Sequence, residues 1–188
     1  TDCDGNDGSD SIKVAVDGVV QAQTDSTIDG AWNISGVTVP SGSVVTVFID
    51  GETEDSKEAV AVTKYDGSGD ITGMLLYWDH LTIGSDDNPT ITNTDLSAYD
   101  NSVSSDEDVF FDVSGTSLTL DATAQSSTET LYIKSGTTYT PGGNITTGGS
   151  FLNAGTYTTG TETLTFNATS TGHTATFNGG TFYNITFD

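Results

Sequence analysis

TLTFNATSTGHTATFNGGTFYNITFD, residues 163–188, holds three versions of one phrase: TLTFN, TATFN and NITFD. Each runs polar, apolar, Thr, apolar, then a turn-forming Asn or Asp. The two apolar positions are i and i+2, so on a β-strand both side chains point to one side. Related phrases stand earlier: HLTIG at 80–84, SLTLD at 117–121 and TLYIK at 130–134. The closing copies begin at 163, 174 and 184. Such spacing suits strands on successive faces of a parallel β-helix, two or three strands per coil. Glycines such as Gly155, Gly172 and Gly179 would turn the corners. An antiparallel meander folded into a second β-sandwich gives similar spacing and is the alternative. In a stack, Leu164 and Phe166, Ala175 and Phe177, and Ile185 and Phe187 become inward pairs of successive layers. Ile185 and Phe187 then form an uncovered layer with open backbone groups. They are predicted to meet another copy of the chain or more of the same polypeptide.

The rest of the chain also reads as all-β. No stretch keeps a 3.6-residue apolar period, and β-branched Thr abounds where a helix would want Ala, Leu, Glu and Lys. IKVAVDGVVQAQT reads as strand, tight Asp17-Gly18 turn, strand. TIDGAWNISGVTV, SVVTVFIDGE and EAVAVTKYD supply further strands. Apolar residues alternate at Ile12, Val14 and Val16, at Trp32 and Ile34, and at Val45, Val47 and Ile49. That is the pattern of a two-sheet sandwich with one buried face per strand. Gly67-Ser68-Gly69-Asp70 marks a junction, dividing a β-sandwich module at 1–66 from a solenoid-like or second sandwich domain at 71–188.

Charge narrows the partners. The chain has 27 acidic residues against 4 lysines and a net charge of −23. Phosphate backbones and anionic membrane surfaces are repelled, so nucleic acid is excluded as a partner. No apolar run approaches the length of a membrane span, so no membrane insertion is expected. Cys3 is the single cysteine and has no partner for an intrachain disulfide.

The series VAVDG…DGAWNISGVTVPSGSVVTVFIDG resembles small sandwich modules of the carboxypeptidase-regulatory and collagen-adhesin B types. The whole chain is similar to repeat regions of large predicted bacterial surface proteins. The resemblance implies a transthyretin- or immunoglobulin-like fold and service as a stalk or spacer. Such modules usually carry a strand before the one that here reads SIKVAV. Here TDCDGNDGSD precedes it, too polar for that strand, so Ile12, Val14 and Val16 would lie on an open sheet edge, one where another strand can dock or one that charge simply blunts.

Few residues suggest chemistry. Asp2, Asp4, Asn6 and Asp7 alternate as hard oxygen ligands do in calcium loops, though Asp7 stands where an EF-hand needs Gly. A solvated acidic loop is the competing reading. SDDN and SDEDVFFD are similar acidic runs. Calcium is the one cofactor suggested. His80 and His173 stand alone, short of a zinc ligand set. A β-helix enzyme acting on polysaccharide wants a basic residue near calcium, and the second half offers only Lys134 beyond Lys64. Trp32, Trp78, Tyr77 and Tyr157 are candidates to stack on sugars, against the plainer reading as core. Asn33, Asn144, Asn167 and Asn184 open Asn-x-Ser/Thr sequons.

Together these observations predict a non-enzymatic extracellular structural protein. It would serve in a surface layer, stalk or filament and assemble through strand and sheet contacts. An adhesin or glycan-binding module is the alternative, and a polysaccharide-active enzyme the third reading.

Overall fold

The computed structural model describes residues 11–26, 31–51, 58–104, 108–120 and 129–188. The chain opens with an antiparallel hairpin, β1 (Ser11–Val16) and β2 (Val19–Ser26). Asp17 and Gly18 turn it with φ of 46° and 81°. A two-residue hairpin turn matched to strand twist needs both residues left-handed, which is why Asp-Gly stands there. The Asp17 carboxylate then accepts the Val44 N–H at 2.8 Å. That bond ties the turn to β3 (Val44–Asp50), which pairs antiparallel with β1 and with β4 (Ala59–Lys64).

Pairing then changes direction. β5 (His80–Ile83) joins β4 in parallel, Ala59 opposite His80 and Val62 opposite Ile83. A first pass continues through β6 (Thr90–Ile91), the short helices α1 (Asn93–Leu96) and α2 (Asn101–Ser104), β7 (Phe111–Ser114) and β8 (Ser117–Leu120). The second pass is β9 (Thr130–Ile133), β10 (Thr138–Tyr139) and β11 (Ile145–Thr147). The third is β12 (Phe151–Asn153), β13 (Thr156–Tyr157) and β14 (Thr163–Phe166). β15 (Ala175–Thr176) and β16 (Asn184–Phe187) make the last.

Equivalent strands of successive passes pair in parallel and form three sheets. The eight-stranded sheet runs β15-β12-β9-β5-β4-β3-β1-β2, the three-stranded one β13-β10-β6, and the five-stranded one β16-β14-β11-β8-β7. Registers align side chains in columns: Leu81, Leu131, Phe151 and Ala175; Ile91, Tyr139 and Tyr157; Leu118, Ile145, Leu164 and Ile185. A meander would need antiparallel ladders, and beyond β4 the described residues form one, β7 with β8. Gly155 shows how closely the passes approach. A Cβ there would lie 2.5 Å from the carbonyl oxygens of Lys134 and Thr137.

The main apolar core fills the space inside the three sheets and extends beneath the first four strands, from Ala15, Phe48 and Val62 to Leu81, Phe110, Tyr139 and Phe151. A second cluster, including Ile12, Val14, Val45, Val47 and Ala61, lies on the opposite face of the eight-stranded sheet. Residues of 32–39 and 71–78 pack over it.

Several expectations need correction. β3 and β4 are buried on both faces rather than one, because core lies above and below them. No regular strand forms over 32–39, where Gly36 breaks the extended run at φ 77°. The segments read as two parts share the eight-stranded sheet, since β4 and β5 pair across the 67–70 stretch. TATFN does not lie between TLTFN and NITFD in one stack. Ala175 follows Phe151 in the eight-stranded sheet, whereas Ile185 and Phe187 sit directly over Leu164 and Phe166. The apolar pattern also gives no sign of the α1 and α2 turns. The start of α1 is marked by Thr92 and Asp95, which cap each other's backbone N–H groups in a capping box.

Candidate functional site

The free edges of the sheets are the candidate site, and the Asp17-Gly18 turn decides where one of them falls. It folds β2 onto the outer side of β1, so β1 is paired on both sides. The expected open edge at Ile12, Val14 and Val16 is therefore not present. All three are buried within a central strand. The edge belongs to β2, last in the eight-stranded sheet, with Val19 64% and Val20 43% exposed.

The opposite end of the stack is the other edge. β16 pairs with β14 and, among the described residues, with no further strand. The Asp188 N–H closes the ladder on the Phe166 carbonyl at 2.9 Å. Phe187 stacks on Phe166 with ring centroids 5.2 Å apart and planes 13° from parallel. Its other face is open: Tyr183 is 62%, Ile185 38% and Phe187 75% exposed. Val103 is the remaining large apolar side chain exposed among the described residues. Thus five of these six exposed side chains stand on or beside strands at the ends of sheets.

Between these ends, polar groups are committed to holding passes together. Asn93, fully buried, accepts from the Tyr139 hydroxyl. Its amide donates to the carbonyls of Thr116 at 2.7 Å and Asn144 at 3.3 Å. Burial drives the Tyr139 hydroxyl well above its ordinary pKa. Tyr157 is raised by burial and by Glu162, whose carboxylate also accepts the Gly160 N–H. Asp100 accepts from the N–H groups of Val103 and Val113 and from the Ser102 hydroxyl. Composition did not single out these residues. The TYT at 138–140, repeated at 156–158, was an available sign of the three-stranded sheet.

The three described lysines are paired. Lys13 meets Asp50 at 3.8 Å, Lys64 meets Asp95 at 3.1 Å, and Lys134 meets Asp86 at 2.6 Å. Bonds from Lys134 and Thr72 hold the Asp86 carboxyl below the ordinary range. Burial raises Asp79 and lowers its neighbour His80. Tyr77 lies 5.7 Å from the His80 ring and 6.0 Å from Tyr132, with Trp78 half-buried beside it. Tyr157 is buried in the core, and Trp32 packs on the second apolar cluster. The four sequon asparagines, Asn33, Asn144, Asn167 and Asn184, are all exposed.

The acidic candidates Asp2, Asp4, Asn6 and Asp7 lie outside the described residues. Among the described residues, no three His, Cys, Asp or Glu side chains gather as a metal site would require. Among the described residues, no helix is long and apolar enough to cross a membrane. No protein-family model matches the chain, and no curated protein and no solved structure matches it either.

Proposed function

We propose that this chain is a structural segment of an extracellular surface layer, stalk or filament, extended by adding β-structure at the ends of its sheets. The observation that carries the reading is the open face of Ile185 and Phe187 on β16, with Tyr183 exposed just before it. Within the chain, β14 takes β16 as its parallel neighbour without a register shift. A further coil of the same kind, from another copy or from more of the same polypeptide, would cover β16 in the same way. Large exposed apolar groups beside unpaired N–H and C=O groups favour such covering. A net charge of −23 and a surface rich in Thr, Ser and Asn suit an aqueous extracellular setting. The chain's role is mechanical rather than catalytic.

Electron microscopy and sedimentation test this. The expected result is concentration-dependent, end-to-end association that Phe187→Asp abolishes while the fold persists. A strictly monomeric chain that binds glycan would sink the proposal. Glycan recognition is the second reading, favoured by the Tyr77, His80 and Tyr132 cluster on the outside of the eight-stranded sheet. Under that reading, Tyr132→Ala reduces binding on a glycan array and leaves sedimentation unchanged.

A further inference from the structure

A second surface lies away from both sheet ends. Residues 32–39 and 69–74 border a groove of about 970 Å³ over the outer face of the eight-stranded sheet. Val14, Val45 and Val47 line it from that sheet, and Trp32, Ile34 and Ile71 from the bordering segments. Those last three are half-buried and pack on the second apolar cluster. The groove is therefore apolar below and open above.

Its walls are chain segments without a ladder. Neither 32–39 nor 69–74 forms a regular strand, and among the described residues no backbone hydrogen bond joins them. Their backbone bonds go elsewhere. The Asn33 N–H donates to the Asp25 carboxylate at 2.5 Å, and the Gly36 carbonyl accepts from Gln23 at 3.0 Å. The Gly69 carbonyl accepts from the Tyr65 hydroxyl at 2.8 Å, and the Thr72 carbonyl from the Asp86 N–H at 2.9 Å. The N–H groups of Ile34, Val37, Ile71 and Met74 have no hydrogen-bond partner among the described residues.

We infer that this groove accepts an extended strand from a partner protein, bonded to the wall backbones with alternate apolar side chains turned to the valine floor. Unsatisfied N–H and C=O groups beside an apolar floor are what strand addition uses: main-chain bonds give affinity and alternate pockets give selectivity. At about 3.3 Å per residue, the 32–39 wall would match a partner of roughly seven or eight residues. Charge selects further. Asp70 is the one charged residue lining the groove, and Asp25 holds Asn33 at the margin. An uncharged strand, or one with a flanking cation, fits; an acidic one does not. The chain's own TDCDGNDGSD (1–10) and ETEDSK (52–57) fail on both counts, being acidic and without large apolar side chains.

The test uses the intact chain and the capped peptide Lys-Thr-Val-Thr-Val-Thr-Val-Thr. Saturable binding is expected by calorimetry, with slowed amide exchange at Ile34, Val37 and Ile71. Ile34→Asp should weaken binding at least tenfold, while Val19→Asp, on the β2 edge, leaves it unchanged. The exchange comparison needs no variant and stands even if Ile34→Asp fails to fold. N-methylation of alternate residues keeps the peptide's apolar side chains but removes donors, and should abolish binding. Equal binding by the methylated peptide, or none by either, overturns the inference. So do wall amides already protected in the free chain, or dimers that Ile34→Asp dissolves, which would make a second copy the occupant.

Discussion

Asp100 is fully buried, and its carboxylate joins the start of α2 to β7 through the N–H groups of Val103 and Val113. Removing it strands those donors in the interior. Asp100→Ala should therefore cost about 3 kcal/mol, read from urea unfolding. His80 offers a pH handle. Burial outweighs both the 2.5 Å contact of Nδ1 with the Trp78 carbonyl and the neighbouring Asp79, so its folded pKa lies below the ordinary value. The unfolded chain then binds the proton more readily. Stability should rise as pH increases from below the folded pKa to the unfolded value near 6.5, and stay level above it. His80→Gln should flatten that rise in thermal midpoints measured from pH 5 to 7.5. Neither role is legible in the sequence. Asp100 is one of 27 acids, and only the fold distinguishes it.

At the scale of elements, the strand phrases were legible and their partners were not. The i, i+2 apolar pairs correctly placed β5, β8, β9, β14 and β16. Which phrases share a sheet depends on corners and on two-residue strands such as β10 and β13, too short for any period to show. The open edge was misplaced for a related reason. Alternation at Ile12, Val14 and Val16 gives a strand's faces but not how many neighbours it has. Layering makes a graded prediction. Leu164 is buried between Ile145 and Ile185, whereas Ile185 is 38% exposed with nothing described above it. Leu164→Ala should cost about 3 kcal/mol and Ile185→Ala about 1 kcal/mol or less, by denaturant titration. Equal costs would mean that the last layer is covered in solution.

Over the whole molecule, the all-β class followed from Thr content, turn residues and missing helical periodicity. The continuous eight-stranded sheet did not, because it depends on β4 and β5 pairing across a stretch that resembles a linker. Self-repulsion is the global constraint. Lys13, Lys64 and Lys134 already have carboxylate partners, so the net charge of −23 stands without internal compensation. Shortening the screening length with salt should stabilise the fold. Moving from about 0.01 M to about 1 M NaCl reduces that length from roughly 30 Å to 3 Å. If the relief is about 1 kcal/mol, the midpoint rises roughly 2–4 °C in a chain of this size. Scanning calorimetry across that range checks it, and a falling midpoint would show that ion pairs outweigh repulsion.

The change from antiparallel to parallel pairing at β4 and β5 also gives the chain an order of acquisition in time. β1 with β2 and β3 with β4 join strands that neighbour each other in sequence, so they close small loops. Each later pass must reach back to the one before it and needs that surface already formed. Synthesis delivers the hairpins first, so the nascent chain lays down its own template and grows from it in one direction. Pulse-labelled hydrogen exchange during refolding should protect Val47 and Ala61 before Leu131, and Leu131 before Thr165.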